Sequence, residues 1–366
     1  MAFEKEIDGS DEYRVRTYES GDREGILSLF ETEWGERPST DWFDWKYVDD
    51  PYLSHAPITL AEHDGEIVAV QGYVPCRVRW RDHVVLALKP VDAVVHPDHR
   101  RQGLYSRITE HAIRHYRERE PAFFFNYPNV ASLGAQQKLG WSEVDVVSMY
   151  YRVQRPSDFL PNDRTPDAVE QAADAVARTA LDLRRRLSST GTGTTFEIER
   201  YTTPPSDTLE SIYESGVPEA FHVKRSAQYY RWILDPPSID DTVYVARRDG
   251  QPVAGLVTRS ESGGEVNVFD TVPMATAHDA FADLLAAVIA DNEDAEVVSV
   301  TDQILPSELL SRFGFVSYET PLLSRFCRPT YMAVRPLWRD TDAVPLSRPE
   351  VADPENWCLS FLEVKD

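Results

Sequence analysis

The chain repeats itself once, and an internal repeat narrows the possible folds more than composition does. The segment Trp45-Lys46-Tyr47-Val48-Asp49-Asp50-Pro51 resembles Tyr230-Arg231-Trp232-Ile233-Leu234-Asp235-Pro236, 185 residues on. The same offset brings Leu60-Ala61 onto Val245-Ala246, Asp64-Gly65-Glu66 onto Asp249-Gly250-Gln251, and Val68-Ala69 onto Val253-Ala254. An apolar run, an Asp-Gly pair and a second apolar run form a β-hairpin signature, because both turn residues tolerate positive φ. The repeat resumes with an offset of 174, where Lys138-Leu139-Gly140-Trp141 matches Arg312-Phe313-Gly314-Phe315. Each reads as a helix stopped by glycine before an aromatic residue opens a strand. The second copy is thus 11 residues shorter between these landmarks, and the shortfall lies where the first copy carries a glycine loop.

Two copies fit a chain of 366 residues, long for one domain and comfortable for two. Between them, Thr165 to Leu187 reads as a helix with Thr165 as N-cap and Pro166 in the first turn. Residues 188–195, Ser-Ser-Thr-Gly-Thr-Gly-Thr-Thr, read as a flexible linker. Beyond Pro329 the chain is rich in Pro, Asp and aromatic residues, and Trp338, Trp357 and Phe361 predict that it packs down. The expected organisation is a first domain at 1–153, a helix and linker at 154–195, a second domain at 196–328 and a packed tail at 329–366.

Acidic residues number 61 against 38 basic ones, a net charge of −23, and only six of the basic residues are lysine. The acids are scattered, as on a solvated surface. Lysine depletion favours a protein of a salt-loaded cytoplasm over an ordinary acidic enzyme, since molar salt shortens the Debye length to roughly 3 Å and screens self-repulsion. Such a surface disfavours nucleic acid, whose phosphates would meet like charge. No apolar run approaches the length of a membrane span, and residues 1–6 do not open a signal peptide. Cys76, Cys327 and Cys358 are isolated, form no metal motif and suit a reducing cytoplasm.

In the first half, strand and helix signals alternate. Glu12–Tyr18 reads as a strand and Arg23–Trp34 as an amphipathic helix on Ile26, Leu27, Leu29 and Phe30. Ile58–Ala61 and Ile67–Trp80 flank the Asp64-Gly65 turn. Val84–Val95 is a further strand, in which Pro90 predicts a bulge or a splayed edge. Residues 96–105, His-Pro-Asp-His-Arg-Arg-Gln-Gly-Leu-Tyr, then lead into a helix to about Arg119 with Leu104, Ile108, Ala112 and Tyr116 on one stripe. A strand, a basic turn with one glycine and a helix beginning there make a phosphate cradle. The first helical N–H groups are unpaired, the helix dipole favours an anion, and Gly103 lets it approach.

Val94-Val95-His96-Pro97-Asp98-His99-Arg100-Arg101-Gln102-Gly103-Leu104 resembles the cofactor motif of the GNAT N-acetyltransferases. Pro128-Asn129-Val130-Ala131-Ser132 and Lys138-Leu139-Gly140-Trp141 resemble the same family's second motif. The likeness covers about residues 11–153, with 196–325 as a weaker second copy. It implies an α/β fold (mixed α+β) of two GNAT-like domains, each a mixed, mostly antiparallel twisted sheet flanked by helices. It implies acetyl-CoA, or another acyl-CoA, as cofactor, held by Val94, Val95, Arg100, Arg101, Gln102, Gly103, Leu104, Tyr105 and Asn129. Two residues depart from the pattern. Tyr105 stands where a third small residue is usual, and Gln136 stands where many members carry the tyrosine that protonates the leaving thiolate.

The acceptor amine must lose a proton before it attacks, so a base or water relay is needed. Asp92, on the strand before the loop where family members often carry a carboxylate, is a candidate. Its other reading is a strand-end aspartate bonded to a backbone amide, and His96 and His99 are alternative bases. Asn129 either bonds the cofactor's pantetheine arm, and so joins Asp92 in the catalytic set, or caps the following helix in competition with Ser132. Trp45 and Tyr47 read as core. Residues 270–278 of the second copy, Asp-Thr-Val-Pro-Met-Ala-Thr-Ala-His, have neither arginine nor glycine, so only the first half is expected to bind cofactor. The expected activity is transfer of an acyl group to a primary amine of a small molecule, an amino sugar or a protein, by a monomer or homodimer. The alternative is a non-catalytic acyl-CoA sensor.

Overall fold

The computed structural model describes residues 13–155, 196–261, 264–274, 278–320, 330–339 and 342–365. The helix and linker expected at 165–195 and Cys327 lie outside them.

Two sheets form. The first runs β1 (Arg14–Thr17), β2 (Ile58–His63), β3 (Glu66–Trp80), β4 (His83–Val95), β5 (Phe123–Asn126), β15 (Thr330–Pro336) and β6 (Ser142–Val147), with the short β9 (His222–Val223) on β3. The second runs β14 (Val316–Ser317), β7 (Met149–Val153), β13 (Val297–Thr301), β12 (Glu265–Val272), β11 (Gln251–Ser260), β10 (Asp241–Arg248) and β8 (Glu197–Tyr201). Every pairing is antiparallel except β4–β5 and β12–β13. The β2–β3 and β10–β11 turns both place Asp and Gly at positive φ, Asp64 and Gly65 at 49° and 84° and Asp249 and Gly250 at 54° and 76°. These are the mirror-image turns that match strand twist. Gly140 (φ 86°) and Gly314 (φ 82°) end the two equivalent helices.

The halves do not end where the sequence suggested. β7, the last strand of the expected first domain, pairs with β13 and β14 of the second sheet. β15, from the expected tail, pairs with β5 and β6 of the first. Each half therefore completes its sheet with a strand from the other, across the boundary expected at 153. The segment expected to pack down does so, with Trp338, Trp357 and Phe361 buried, and it also supplies a strand. The exchange escapes sequence reasoning because a strand of five to seven residues carries no mark of which sheet it joins.

Strand alternation sorts the core. Phe123 and Phe125 face a cluster that spans both halves, with α1 (Arg23–Trp34) contributing Ile26, Leu27, Leu29 and Phe30. Phe124 faces the other way, with Leu88, Ala112, Tyr116 and Trp141, under α3 (Leu104–Tyr116) and α4 (Val130–Lys138). A second short helix, α2 (Thr40–Phe43), leads into a wider π-helical turn at Asp44–Val48.

Candidate active site

β4 and β5 pair at only two positions, Ala87 with Phe123 and Leu88 with Phe124, and then part. β5 stops at Asn126 while β4 continues to Val95. The divergence goes with a bulge in β4. Val94 faces Val70 and Val91 faces Gly72, so Asp92 and Ala93 share one partner, with Asp92 at φ 48°. A bulge bends its strand and re-aims a side chain. Pro90 is regularly paired with Tyr73 in an interior strand, so the bulge expected at Pro90 sits beyond it, and β4 is not an edge.

The bulge turns the Asp92 carboxylate onto Tyr47, which the sequence reading left in the core, and onto Lys46, to which it gave no role. Lys46 Nζ lies 2.7 Å from Asp92 Oδ2, and the Tyr47 hydroxyl donates to the same oxygen in a short hydrogen bond. Lys46 is only 4% exposed and lies 5.0 Å over the Trp42 ring. The Tyr47 ring packs on Gly72, where any Cβ would overlap it. The signal that could have found them was a lysine beside a tyrosine in an aromatic-rich segment of a lysine-poor chain.

Past Val95 the chain makes a 3-10 turn at Pro97–His99, and His96 accepts from the Asp98 amide. Arg101 (φ 63°) and Gly103 (φ 73°) reverse its direction so that α3 begins at Leu104. No side chain caps α3 and no acid sits in its first turn, so its leading N–H groups are open to an anion. A Cβ at Gly103 would meet nothing within 4 Å. Arg100 is turned aside, bonding the Val95 carbonyl through Nε and pairing with Glu33 of α1. Arg101 and Gln102 are exposed at the turn, while Val94 and Leu104 are buried beneath it. Along the outer flank of α3, Arg107, His111 and Arg114 line a groove of about 510 Å³ with Tyr13 and Arg14. The Tyr13 hydroxyl meets His99 Nδ1 at 3.0 Å, so His99 is tied to the loop's support.

On the inner flank, Tyr105 reaches across to α4, where Gln136 Nε2 donates to its hydroxyl at 3.1 Å. Burial pushes the Tyr105 phenol above its ordinary pKa, partly offset by its bonds to Gln136, Thr109 and Gln71. Asn126 Oδ1, the Tyr127 hydroxyl and Gln136 Oε1 are buried without a hydrogen-bond partner. By strand alternation Asn126 shares the face of Phe124, under α3 and α4 with Gln136, whereas Tyr127 packs beside Phe125 on the opposite face. Buried polar atoms are normally paired, so the two orphans under the helices mark a place built for a polar ligand. Asn129 lies at the rim, exposed, and its Oδ1 accepts from Ser132 N at 2.9 Å. It is the N-cap of α4, which leaves its amide nitrogen and one lone pair of Oδ1 for a ligand, and Ser132 is not the cap.

The equivalent parting of β12 and β13 is filled. Thr301 Oγ1 donates to the Leu359 carbonyl at 2.9 Å, and Leu359 N donates to Gln303 at 2.6 Å. Glu363 and Asp270 flank Arg225 in a fully buried cluster, with Tyr230 donating to Asp270 at 2.8 Å. Asp270 is thus the second half's counterpart of Asp92. The helix Ala280–Asp291 opens on Asp279 with Asp283 in its first turn, charges that repel a phosphate.

Residues 14–144 match the family model of an acetyltransferase (GNAT) domain. Comparison with curated proteins gives no match. Among solved structures, a probable N-acyltransferase of Enterococcus faecalis superposes with a TM-score of 0.60 at 12% identity, over 89% of this chain and 72% of that one. A GCN5-related N-acetyltransferase from Kribbella flavida gives 0.55 at 14% identity, over 88% and 71%. Saccharomyces cerevisiae N-myristoyltransferase with bound myristoylCoA gives 0.59 at 12% identity, over 100% and 92%. At such identities these likenesses speak to the fold alone.

Proposed function

We propose that this chain, a member of the GNAT superfamily through its first half, transfers an acyl group from acetyl-CoA or another acyl-CoA to a primary amine. The fold is that of acyl-CoA-dependent acyltransferases. The observation that carries the reading is the open parting of β4 and β5, with an uncapped helix and Gly103 at its mouth. The residues present fit the group. The α3 N–H groups and Arg101 suit a pyrophosphate, and the orphaned oxygens of Asn126 and Gln136 suit the N–H groups of a pantetheine arm. Bound there, the thioester supplies an acyl carbon already activated toward an amine.

Asp92 takes the acceptor's proton, directly or through one water. Lys46 and Tyr47 fix the carboxylate through Oδ2, which directs Oδ1 to the acceptor. A sensor that binds acyl-CoA without turnover is the second reading, favoured by a glutamine at position 136.

Calorimetry with acetyl-CoA, followed by thiol release against a panel of amines in molar potassium chloride, tests both. The expected result is one site per chain and turnover with at least one amine. Binding without turnover supports the sensor. Two equivalent sites, or none, overturns the assignment to the first half.

A further inference from the structure

The two residues that depart from the family pattern, Tyr105 and Gln136, lie 31 positions apart in sequence and touch in space. We infer that the Tyr105 hydroxyl is the hydrogen-bond donor to the leaving sulfur, oriented by Gln136; the inference rests on the acyltransferase reading above.

Tyr105 occupies the first turn of α3, next to the open N–H groups, and its side chain runs inward. α3 packs over β1 to β4, whereas α4 packs on β6 and β15. A hydroxyl that joins the two helices therefore lies over the gap where β4 and β5 part. Gln136 is 2% exposed, and its amide carries no ionisable proton. As placed, its nitrogen donates to the phenol and its oxygen is an orphan; Thr109 and Gln71 also border the phenol, and a bound sulfur competes with them for its proton. Reversing the amide would orphan the nitrogen instead. Either way one polar atom beside Tyr105 is left for a ligand, although the side chain is almost wholly buried.

The phenol is suited to hydrogen bonding and unsuited to giving up its proton. Burial raises its pKa from an ordinary value near 10, while a thiol has roughly 8.5, so transfer from phenol to thiolate runs uphill. The step balances without that transfer. As the bond from the acyl carbon to sulfur breaks, its electron pair goes to sulfur, and the Tyr105 O–H stabilises the charge. The acceptor's proton leaves through Asp92, and sulfur takes a proton from solvent on release. A donor aimed at developing charge in a dry site is worth about 10²-fold or more in rate.

The decisive readout does not need turnover. The thiol of bound CoA is titrated by the ultraviolet absorbance of its thiolate in the wild type and in Tyr105→Phe. A hydrogen bond to the thiolate lowers that thiol's pKa, and removing it should raise the value by about one unit. Gln136→Leu, which removes only the orienting amide, should move it partway in the same direction and serves if the first variant folds poorly. Affinity for acetyl-CoA should stay within about threefold, while kcat falls about 100-fold in Tyr105→Phe. Identical thiol titrations in wild type and both variants overturn the inference even if CoA binds normally. A wild type that binds no CoA overturns the functional reading first.

Discussion

Trp45 and Trp232 exchange the same hydrogen bond. Each indole N–H donates to the other's backbone carbonyl, at 2.7 Å in both directions. Reciprocity of this kind is what a two-fold relation imposes, and it places the pseudo-axis between the two halves. The rings are nearly buried, 6.4 Å apart, and Tyr52 and Tyr229 stack alongside at 6.3 Å. The halves are thus joined at a packed aromatic seam, and the turn that carries Trp45 into it also carries Lys46 and Tyr47 to Asp92.

Gly103→Trp should lose acetyl-CoA affinity by at least about 100-fold with the circular dichroism spectrum unchanged. Gly103→Ala is the control. Both variants force a side chain into positive φ, costing about 1–2 kcal/mol, but the alanine Cβ meets no neighbour within 4 Å. Only the tryptophan covers the cradle. Equal affinities in the two variants would move the phosphate site elsewhere.

Asp92→Asn should lower kcat by about 10²–10⁴-fold, spare acetyl-CoA affinity and remove the acidic limb of the pH–rate profile. It also takes the carboxylate from a buried ammonium, so stability should fall by around 3 kcal/mol. Adding Lys46→Met should restore much of that stability and none of the activity. Recovery of both would make Asp92 purely structural.

His222 predicts an acid weakness in the fold. It is fully buried, with Nδ1 donating to the Ala220 carbonyl at 2.7 Å and Nε2 accepting from Tyr213 at 2.8 Å. Burial, then the Arg225 charge, lowers its pKa to about 4, against roughly 6.5 unfolded. The native state therefore binds fewer protons. The stability is fully present above about pH 6.5 and is lost as pH falls to about 4, a total of about 3 kcal/mol. Asp50, raised to about 6 by burial, works in the opposite sense between about 4 and 6. The difference between wild type and His222→Phe in melting temperature against pH isolates the histidine. Parallel profiles from pH 7 to 4 would contradict this account.

A charge of −23 should make the melting temperature rise as potassium chloride goes from low to molar concentration, through screening of like charges. A flat or falling curve would leave an acidic protein with no tie to salt.

What the sequence revealed follows from what is local. The Asp-Gly turns, the glycine stops at 140 and 314 and the helix from Leu104 depend on backbone conformations that few residues accept, so they read directly. The side chains that meet across long separations did not. The 185-residue alignment pairs Trp45 with Tyr230 and Tyr47 with Trp232. In space Trp45 answers Trp232, and Tyr47 answers Tyr230 as the phenol bonded to a β-strand aspartate. Both halves carry the same tyrosine and tryptophan in opposite order, and only the structure shows which does what. Lys46 was hidden for the same reason. Its meaning lies in Asp92, at a bulge that Pro90 announced but did not place, since the extra residue falls at Asp92 and Ala93.

The exchanged strands also set a timetable. During synthesis the first half has its cradle, its bulge and Asp92 by residue 105, yet β5 and β6 stay parted until residues 330–336 arrive to lie between them. Until then two strand edges wait unpaired, each a template for the wrong neighbour. A truncation that removes β15 should therefore cost the first half its solubility, although every residue of the proposed site would still be present.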